Sequence, residues 1–165
     1  MESKPNGVST LWCFVALFIV AVVLNYCWEI SQSLLFVGMK YNKAMWWHCF
    51  VASLGDGILV WIIYLTVWAA FRQSNWFVHL GGSHYGVMLA AGLVMGVAIE
   101  WVALHILNRW AYTEQMPLIP GLAIGLAPVL QMLILPPVIF SIVAAWAKRR
   151  IAHANQSSGP NLDRS

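Results

Sequence analysis

The sequence predicts an all-α integral membrane protein built as a bundle of four transmembrane helices. Of its 165 residues, 61% are hydrophobic and 9% are charged, whereas soluble domains carry about 25% charged residues. Three stretches without any charge, and a fourth interrupted only by Asp56, are each long enough for the roughly 20 apolar residues that a spanning helix needs. The length favours a single domain, which we place at residues 1–150, ahead of a disordered polar tail at 151–165.

The first predicted span covers about residues 9–36. The apolar run is not followed by a small-residue cleavage site, so we expect the span to be retained. Near its end, Asn25, Glu29 and Gln32 recur at the i, i+4, i+7 spacing that places side chains on one face of a helix. This face is too polar to be directed at lipid, and it is expected to point into the bundle.

The second and third predicted spans cover about residues 44–71 and 83–107. Each carries one acidic residue inside the apolar stretch, Asp56 in the second span and Glu100 in the third. The third span also contains Gly92 and Gly96, and small residues four positions apart let two helices approach closely. We therefore expect the two glycines to serve helix packing.

The fourth predicted span covers about residues 119–147 and opens with a second small-residue pair, Gly121 and Gly125. An interior proline removes a backbone hydrogen bond and clashes with the preceding turn of a helix. The prolines of this span therefore predict a kinked helix that is broken near residues 128 and 136; they are Pro120, Pro128, Pro136 and Pro137.

The distribution of basic residues predicts the orientation in the membrane, because lysine and arginine are enriched in cytoplasmic loops. If both termini are cytoplasmic, six of the nine basic residues lie inside, and these are Lys4, Arg72, Lys148, Arg149, Arg150 and Arg164. The other three, Lys40, Lys43 and Arg109, then lie outside. We therefore predict a multi-pass protein with cytoplasmic termini, and we interpret residues 148–150 as an orientation signal and not as a nucleic-acid site.

In this orientation, polar side chains from four different helices fall in the outer half of the bundle. They are Glu29, Asp56, Glu100 and Gln131, with His48 and His105 nearer the outer rim. A charged side chain at the bilayer centre costs about 2.5–3.5 kcal/mol on insertion scales, so these residues are expected to face one another or a cavity. We predict an outward-opening polar pocket with a closed cytoplasmic floor, covered by residues 109–121 as a lid.

Clustered carboxyl groups in an apolar environment allow one group to act as an acid while another acts as a base. This chemistry suits a lipophilic substrate, such as an isoprenoid, a sterol or another lipid, in a double-bond isomerisation or a cyclisation through a carbocation that aromatic rings stabilise. The candidate catalytic residues are Glu29, Asp56, Glu100 and His48. The candidate substrate-binding residues are Asn25, Trp28, Gln32, Trp110, Tyr112 and Gln131.

A metal site is one alternative interpretation of the same residues. Two histidines and three carboxylates form a ligand set that suits zinc, iron or manganese, and cysteines and methionines near the outer face suit copper. However, the sequence contains no H-x-x-x-H or E-x-x-H spacing. We therefore expect no metal, and the sequence does not specify a cofactor.

Three further interpretations remain open. Polar side chains inside a membrane can simply join helices through hydrogen bonds. Acidic residues also mark proton pathways, although the inner half of this bundle has few polar residues to continue one. A non-catalytic accessory or pigment-holding subunit is the third, with His79, His84 or His105 as the ligand. The lipid bilayer is the one partner that the composition specifies, and the oligomeric state stays open.

Overall fold

A computed structural model describes residues 9–74, 76–79 and 81–157, and it confirms the four-helix architecture. The helices are α1 (Thr10–Gln32), α2 (Lys43–Phe71), α3 (Gly82–Trp101) and α4 (Leu126–Ser157). Each is long and apolar enough to cross a membrane, and the candidate spans are Leu11–Leu35, Lys43–Phe71, Gly82–Ile106 and Leu126–Ala154. The first three agree with the predicted spans to within two residues at each end. The protein is therefore a multi-pass membrane protein in contact with lipid.

Short elements connect these helices. A 3₁₀ turn at Ser33–Leu35 follows α1, and a second one at Trp76–His79 precedes α3. A π-helical turn at Val102–Ile106 continues α3. The strands β1 (Leu118–Ile119) and β2 (Ile124–Gly125) lie between α3 and α4 and pair antiparallel, with Leu118 opposite Gly125.

The fourth helix begins seven residues later than predicted, at Leu126 instead of 119. Residues 118–125 form the β1–β2 hairpin, whose turn contains Pro120 and places Gly121 at a φ of 81°. Glycine adopts a positive φ without strain. Pro120 lies in a turn, where the lack of a backbone N–H breaks no helical hydrogen bond. The expectation that Gly121 and Gly125 form a helix-packing pair is therefore wrong, because both precede the helix.

The expected breaks in the fourth helix are also not found, since α4 continues through Pro128, Pro136 and Pro137. Pro128 lies in the first turn, where a backbone N–H has no partner within the helix and its loss costs little. Pro136 and Pro137 lie in the interior, where each removes a backbone donor. The helix also extends to Ser157, so residues 151–157 are helical although we predicted them as part of a disordered tail; residues 158–165 lie outside the described residues.

The α3–α4 interface shows how the bundle accommodates Pro136. In a regular helix the N–H of residue 136 would bond to the carbonyl of Met132, and proline lacks this N–H. The Met132 carbonyl oxygen instead lies against Gly92 of α3, so closely that a Cβ atom at Gly92 would collide with it. At Gly96, an added Cβ atom would lie 3.1 Å from the Cβ atom of Met132. The expected role of the two glycines in helix packing is confirmed.

Helix α1 packs against α2 and α4, and α3 packs against α4 and α2. The apolar core between them includes Leu17, Ile63, Val67 and Phe140, none of which is exposed. Helices α1 and α3 finish at one end of the bundle, and α2 and α4 begin there. We call this end the site end. At the opposite end, a group of aromatic side chains fills the core.

His84 belongs to this opposite end, and it is the third residue of α3 instead of a loop residue as predicted. Its ring lies parallel to the ring of Trp76, and the two centroids are 6.3 Å apart. The centroid of the Phe71 ring is 4.2 Å from the His84 centroid. Because it is packed between these rings at the far end of the bundle, His84 does not meet the polar residues of the site end. His79 lies in the short 3₁₀ turn that precedes α3.

Candidate functional site

The side-chain amide of Gln131 stands at the centre of the site end. Its Nε2 atom donates to Oδ1 of Asn25 at 2.8 Å and to Oδ2 of Asp56 at 3.0 Å. Its Oε1 atom accepts a hydrogen bond from Nε2 of Gln32 at 3.0 Å. Gln131 therefore links α4 to both α1 and α2, and it is 2% exposed.

The polar face of α1 continues this network. Gln32 donates to Oε1 of Glu29 at 2.9 Å, and its own Oε1 atom accepts a bond from the indole N–H of Trp28 at 3.1 Å. Asn25 is fully buried and donates to the carbonyl oxygen of Ala21 at 2.8 Å, one turn earlier in the same helix. The one-face arrangement of Asn25, Glu29 and Gln32 that the sequence predicted is confirmed by these bonds, since all three share in one connected network.

A second group forms around Glu100, near the end of α3. The Tyr112 hydroxyl donates to Oε1 of Glu100. The indole N–H of Trp110 donates to the same oxygen at 3.2 Å. The Tyr112 hydroxyl also accepts a hydrogen bond from the backbone N–H of Gly125 at 2.9 Å. Glu100 is 4% exposed, so its carboxylate is enclosed and held from the loop side by two aromatic residues.

The loop that carries these aromatic residues is anchored to the end of α1. Tyr112 forms a β-bridge with Phe36, and the backbone N–H of Thr113 donates to the carbonyl of Leu35 at 2.9 Å. The backbone N–H of Val37 donates to Ala111 at 2.9 Å. Residues 109–121 therefore fold over the end of the bundle, and the loop fixes the side chains that reach Glu100.

Tyr112 stays a protonated phenol over the physiological range. Burial, and next the hydrogen bond to Glu100, raise the pKa of Tyr112 above its ordinary value. The hydroxyl therefore keeps the proton that it donates to the Glu100 carboxylate, while its oxygen accepts from Gly125. The phenol acts as a fixed connection between the acidic residue and the start of α4.

The three carboxyl groups come from three helices, and Glu29 and Asp56 are connected through the side-chain amides of Gln32 and Gln131. Glu100 lies near the end of α3, at the same end of the bundle. Their burial differs, since Glu29 and Asp56 are half-buried and Glu100 is buried. Each carboxyl group accepts at least one hydrogen bond from an amide, an indole or a phenol, and such donors stabilise a negative charge. The sequence-predicted convergence of Glu29, Asp56, Glu100 and Gln131 on one end of the bundle is therefore found in the structure.

His48 and His105 are not brought into this group. His48 is exposed near the start of α2, and no hydrogen bond joins it to the network within the described ranges. His105 is exposed in the π-helical turn, where its Nε2 atom lies 3.3 Å from the carbonyl oxygen of Leu122. Both histidines lie on helix faces that point away from the bundle axis. The sequence prediction used only their depth along each helix, and it therefore placed them too close to the carboxylates.

Sequence reasoning missed two features of this end. The first is the backbone N–H of Gly125, which fixes the Tyr112 hydroxyl and belongs to a hairpin that looked like part of a helix. The second is a surface cavity of about 460 Å³ that is lined by Tyr26, Lys43, Trp46, Trp47 and Phe50. Only the high local density of aromatic residues at 46–50 signalled it. The cavity contains none of the three carboxylates.

Within residues 9–74, 76–79 and 81–157, no three His, Cys, Asp or Glu side chains are arranged to hold a metal ion. The donors that meet the carboxylates are amides, an indole and a phenol, which bind anions or neutral acceptors and not cations. No protein-family model, curated protein or solved structure matches the chain.

Proposed function

We propose that the site end is an acid–base centre that acts on a lipophilic substrate, in a double-bond isomerisation or a protonation-initiated cyclisation. The observation that carries this proposal is that Glu29 and Asp56, from two helices of a membrane bundle, share one amide network through Gln32 and Gln131. Glu100 is buried at the same end of the bundle, near the end of α3. Ionisable residues inside a membrane are costly, and they mark functional sites by default.

The proposed reaction needs one carboxylic acid and one carboxylate. The acid donates a proton to one carbon of a double bond and becomes a carboxylate, which leaves a carbocation on the substrate. The second carboxyl group, which is ionised at the start, then removes a proton from a neighbouring carbon, and a double bond forms again at a shifted position or after ring closure. The proton returns from the second group to the first before the next turnover. The proton count of the protein is unchanged, so no other reactant is required.

We assign the two proton-transfer roles to Glu29 and Asp56. Both are half-buried and thus reachable, and each keeps one side-chain amide donor. Glu100 is enclosed by Tyr112 and Trp110, so we assign it the role of stabilising positive charge that develops on the substrate. Aromatic ring faces at Trp28, Trp110 and Tyr112 would support the same charge.

The substrate would reach this centre from the bilayer. The predicted orientation, with cytoplasmic termini, places the site end at the outer face of the membrane. The helices expose apolar side chains to lipid over most of their length, including Ile19, Val51 and Val94. A lipid-soluble compound therefore reaches the surface of the bundle from within the bilayer, without passing through water.

The test compares lipid extracts from cells that express the wild type, Glu29→Gln or Glu114→Gln at matched levels, in a host supplied with isoprenoid precursors. Glu29→Gln keeps an oxygen that can accept from Gln32 but cannot transfer a proton. Glu114 is an exposed loop residue and supplies the matched control. We expect a lipid species, resolved by chromatography and mass spectrometry, that changes with the wild type and Glu114→Gln but not with Glu29→Gln.

A structural role in an accessory subunit is the second candidate, and one observation favours it. The amides of Asn25 and Gln32 in α1 both bond directly to the amide of Gln131 and so join α1 to α4. If this is their whole purpose, the wild type and Glu29→Gln give the same lipid profile, and Glu29→Gln lowers thermal stability in detergent. If the acid–base proposal holds, the same variant keeps its stability and loses the lipid change.

A further inference from the structure

The cavity between α1 and the first two turns of α2 is separate from the carboxylate group. It has a volume of about 460 Å³ and is open to the surface. Aromatic rings form its wall, with Tyr26 centred 6.4 Å from Trp46 and 6.2 Å from Phe50, and Trp47 centred 5.7 Å from Phe50. Trp47 is 67% exposed, so the cavity faces the surroundings of the bundle and not its core.

A single basic residue completes the lining. Lys43 is the first residue of α2 and of the second candidate span, which places its ammonium group at the membrane boundary. Lys40, also exposed, precedes it by three residues. In the part of the chain that the structure describes, no acidic side chain forms an ion pair with Lys43. The positive charge at the mouth of the cavity is thus not neutralised by the bundle.

The order of these groups along α2 matches the cross-section of a membrane lipid. Lys43 lies at the level of the headgroups, and Trp46, Trp47 and Phe50 follow over the next two turns into the apolar region. Basic residues near a membrane surface attract anionic headgroups, and tryptophan and tyrosine favour the boundary region. A zwitterionic lipid also carries a phosphate, but its own cationic group offsets that charge, so its attraction to Lys43 is weaker than that of an anionic lipid.

We propose that this cavity binds an anionic phospholipid, with its phosphate on the Lys43 ammonium group and one acyl chain along Tyr26, Trp46 and Phe50. The charge of Lys43 and the apolar rings below it favour this occupant over a water-soluble anion, which would leave the rings uncovered. The site is independent of the proposed acid–base chemistry, since it shares no residue with it.

The test is native mass spectrometry of the purified full chain in detergent, titrated with phosphatidylglycerol or phosphatidylcholine. We expect phosphatidylglycerol to bind at lower concentration, and Lys43→Gln to weaken that binding about fivefold, the effect of one surface cation. Phe50→Ala should weaken both lipids, because it removes part of the wall. Lys148→Gln changes a lysine near the opposite end of the bundle and should bind both lipids as the wild type does. Glu29→Gln should also bind them as the wild type does.

Four results would overturn the proposal. Equal binding of the two lipids would show that charge has no role. If Lys43→Gln and Lys148→Gln lost the same amount of lipid affinity, the role of Lys43 would be only the general attraction of a positive surface. Full binding by Phe50→Ala would remove the role of the cavity. Displacement of the lipid by inorganic phosphate alone would assign the site to a free anion. Lys43, Phe50 and Lys148 are exposed and Glu29 is half-buried, and an unchanged far-ultraviolet circular dichroism spectrum checks that each variant is folded.

Discussion

The amide nitrogen of Gln131 donates to the carboxylate of Asp56 over 3.0 Å, and this bond connects α4 to α2 in the middle of an apolar bundle. The same nitrogen donates to Asn25 of α1. One side chain therefore sets the relative positions of three helices at the depth where the carboxylates meet. The arrangement of the candidate site depends on Gln131 more than on any acidic residue.

Replacement of Gln131 by methionine should destabilise the protein. Interhelical hydrogen bonds in membranes contribute about 0.6 kcal/mol each on average, so loss of the three bonds to Gln32, Asn25 and Asp56 should lower the free energy of unfolding by about 2 kcal/mol. Thermal or denaturant unfolding in detergent measures this. Gln115→Met, at an exposed loop position, is the matched control. Equal stability of Gln131→Met and the wild type would show that the network does not hold the helices.

Replacement of Gly92 by alanine should disrupt the α3–α4 contact. The new methyl group would collide with the carbonyl oxygen of Met132, a backbone atom that cannot move alone. Overpacking of this kind costs about 1–3 kcal/mol. Gly86→Ala on the same helix has open space around it and should leave stability unchanged or slightly raise it. The prediction fails if the two variants unfold at the same temperature.

Removal of the Tyr112 hydroxyl should change how stability depends on pH. Burial, and next the bond to Glu100, raise the pKa of Tyr112 above its ordinary value of 10.0, so the unfolded chain releases this proton at a lower pH than the folded protein. The hydroxyl therefore contributes stability that is complete below pH 10 and is lost as the pH rises further.

Unfolding of the wild type and Tyr112→Phe should be compared from pH 8 to about pH 11, on either side of the ordinary tyrosine value. We expect the wild type to lose more stability than the variant above pH 10. Tyr41→Phe, at an exposed position outside the spans, should behave as the wild type does. Parallel curves for the wild type and Tyr112→Phe would contradict the assignment.

The orientation of the bundle can be read from cysteine labelling. In a background without the three native cysteines, Glu114→Cys should react with a membrane-impermeant maleimide in intact cells, and Gln73→Cys should react only after the cells are opened. These positions lie in loops at opposite ends of the helices. The reverse labelling pattern would place the site end in the cytoplasm.

The sequence was sufficient to predict most of the architecture, because a membrane span is marked by an apolar stretch of about 20 residues. Apolar stretches define the first three spans to within two residues at each end, and the i, i+4, i+7 spacing of Asn25, Glu29 and Gln32 needs no tertiary information. Counting depth along four antiparallel helices then brings Asp56, Glu100 and Gln131 to the same end. Span length and helix geometry together are therefore enough to predict which polar residues lie at the same end of the bundle.

What the sequence did not reveal depends on local conformation and rotation. The β1–β2 hairpin is as apolar as the helix that follows it, so hydropathy alone extended the fourth span through residues 119–125. His48 lies at the right depth but on an exposed face of α2, and depth contains no information about rotation. The contact of Gly125 with Tyr112 joins residues 13 apart through a loop whose course the sequence does not specify.

The most direct test of the acid–base proposal uses deuterium, because an isomerised or cyclised lipid has the same mass as its precursor. Membranes containing the wild type, Glu29→Gln or Glu114→Gln would be incubated with an isoprenoid-rich lipid extract in heavy water, and the lipids analysed by mass spectrometry. A lipid that gains one deuterium with the wild type and Glu114→Gln, but not with Glu29→Gln, would establish proton transfer by the carboxyl group. If no lipid gains deuterium with a folded wild type, or if folded Glu29→Gln labels the same lipid to the same extent, Glu29 is not an acid–base residue.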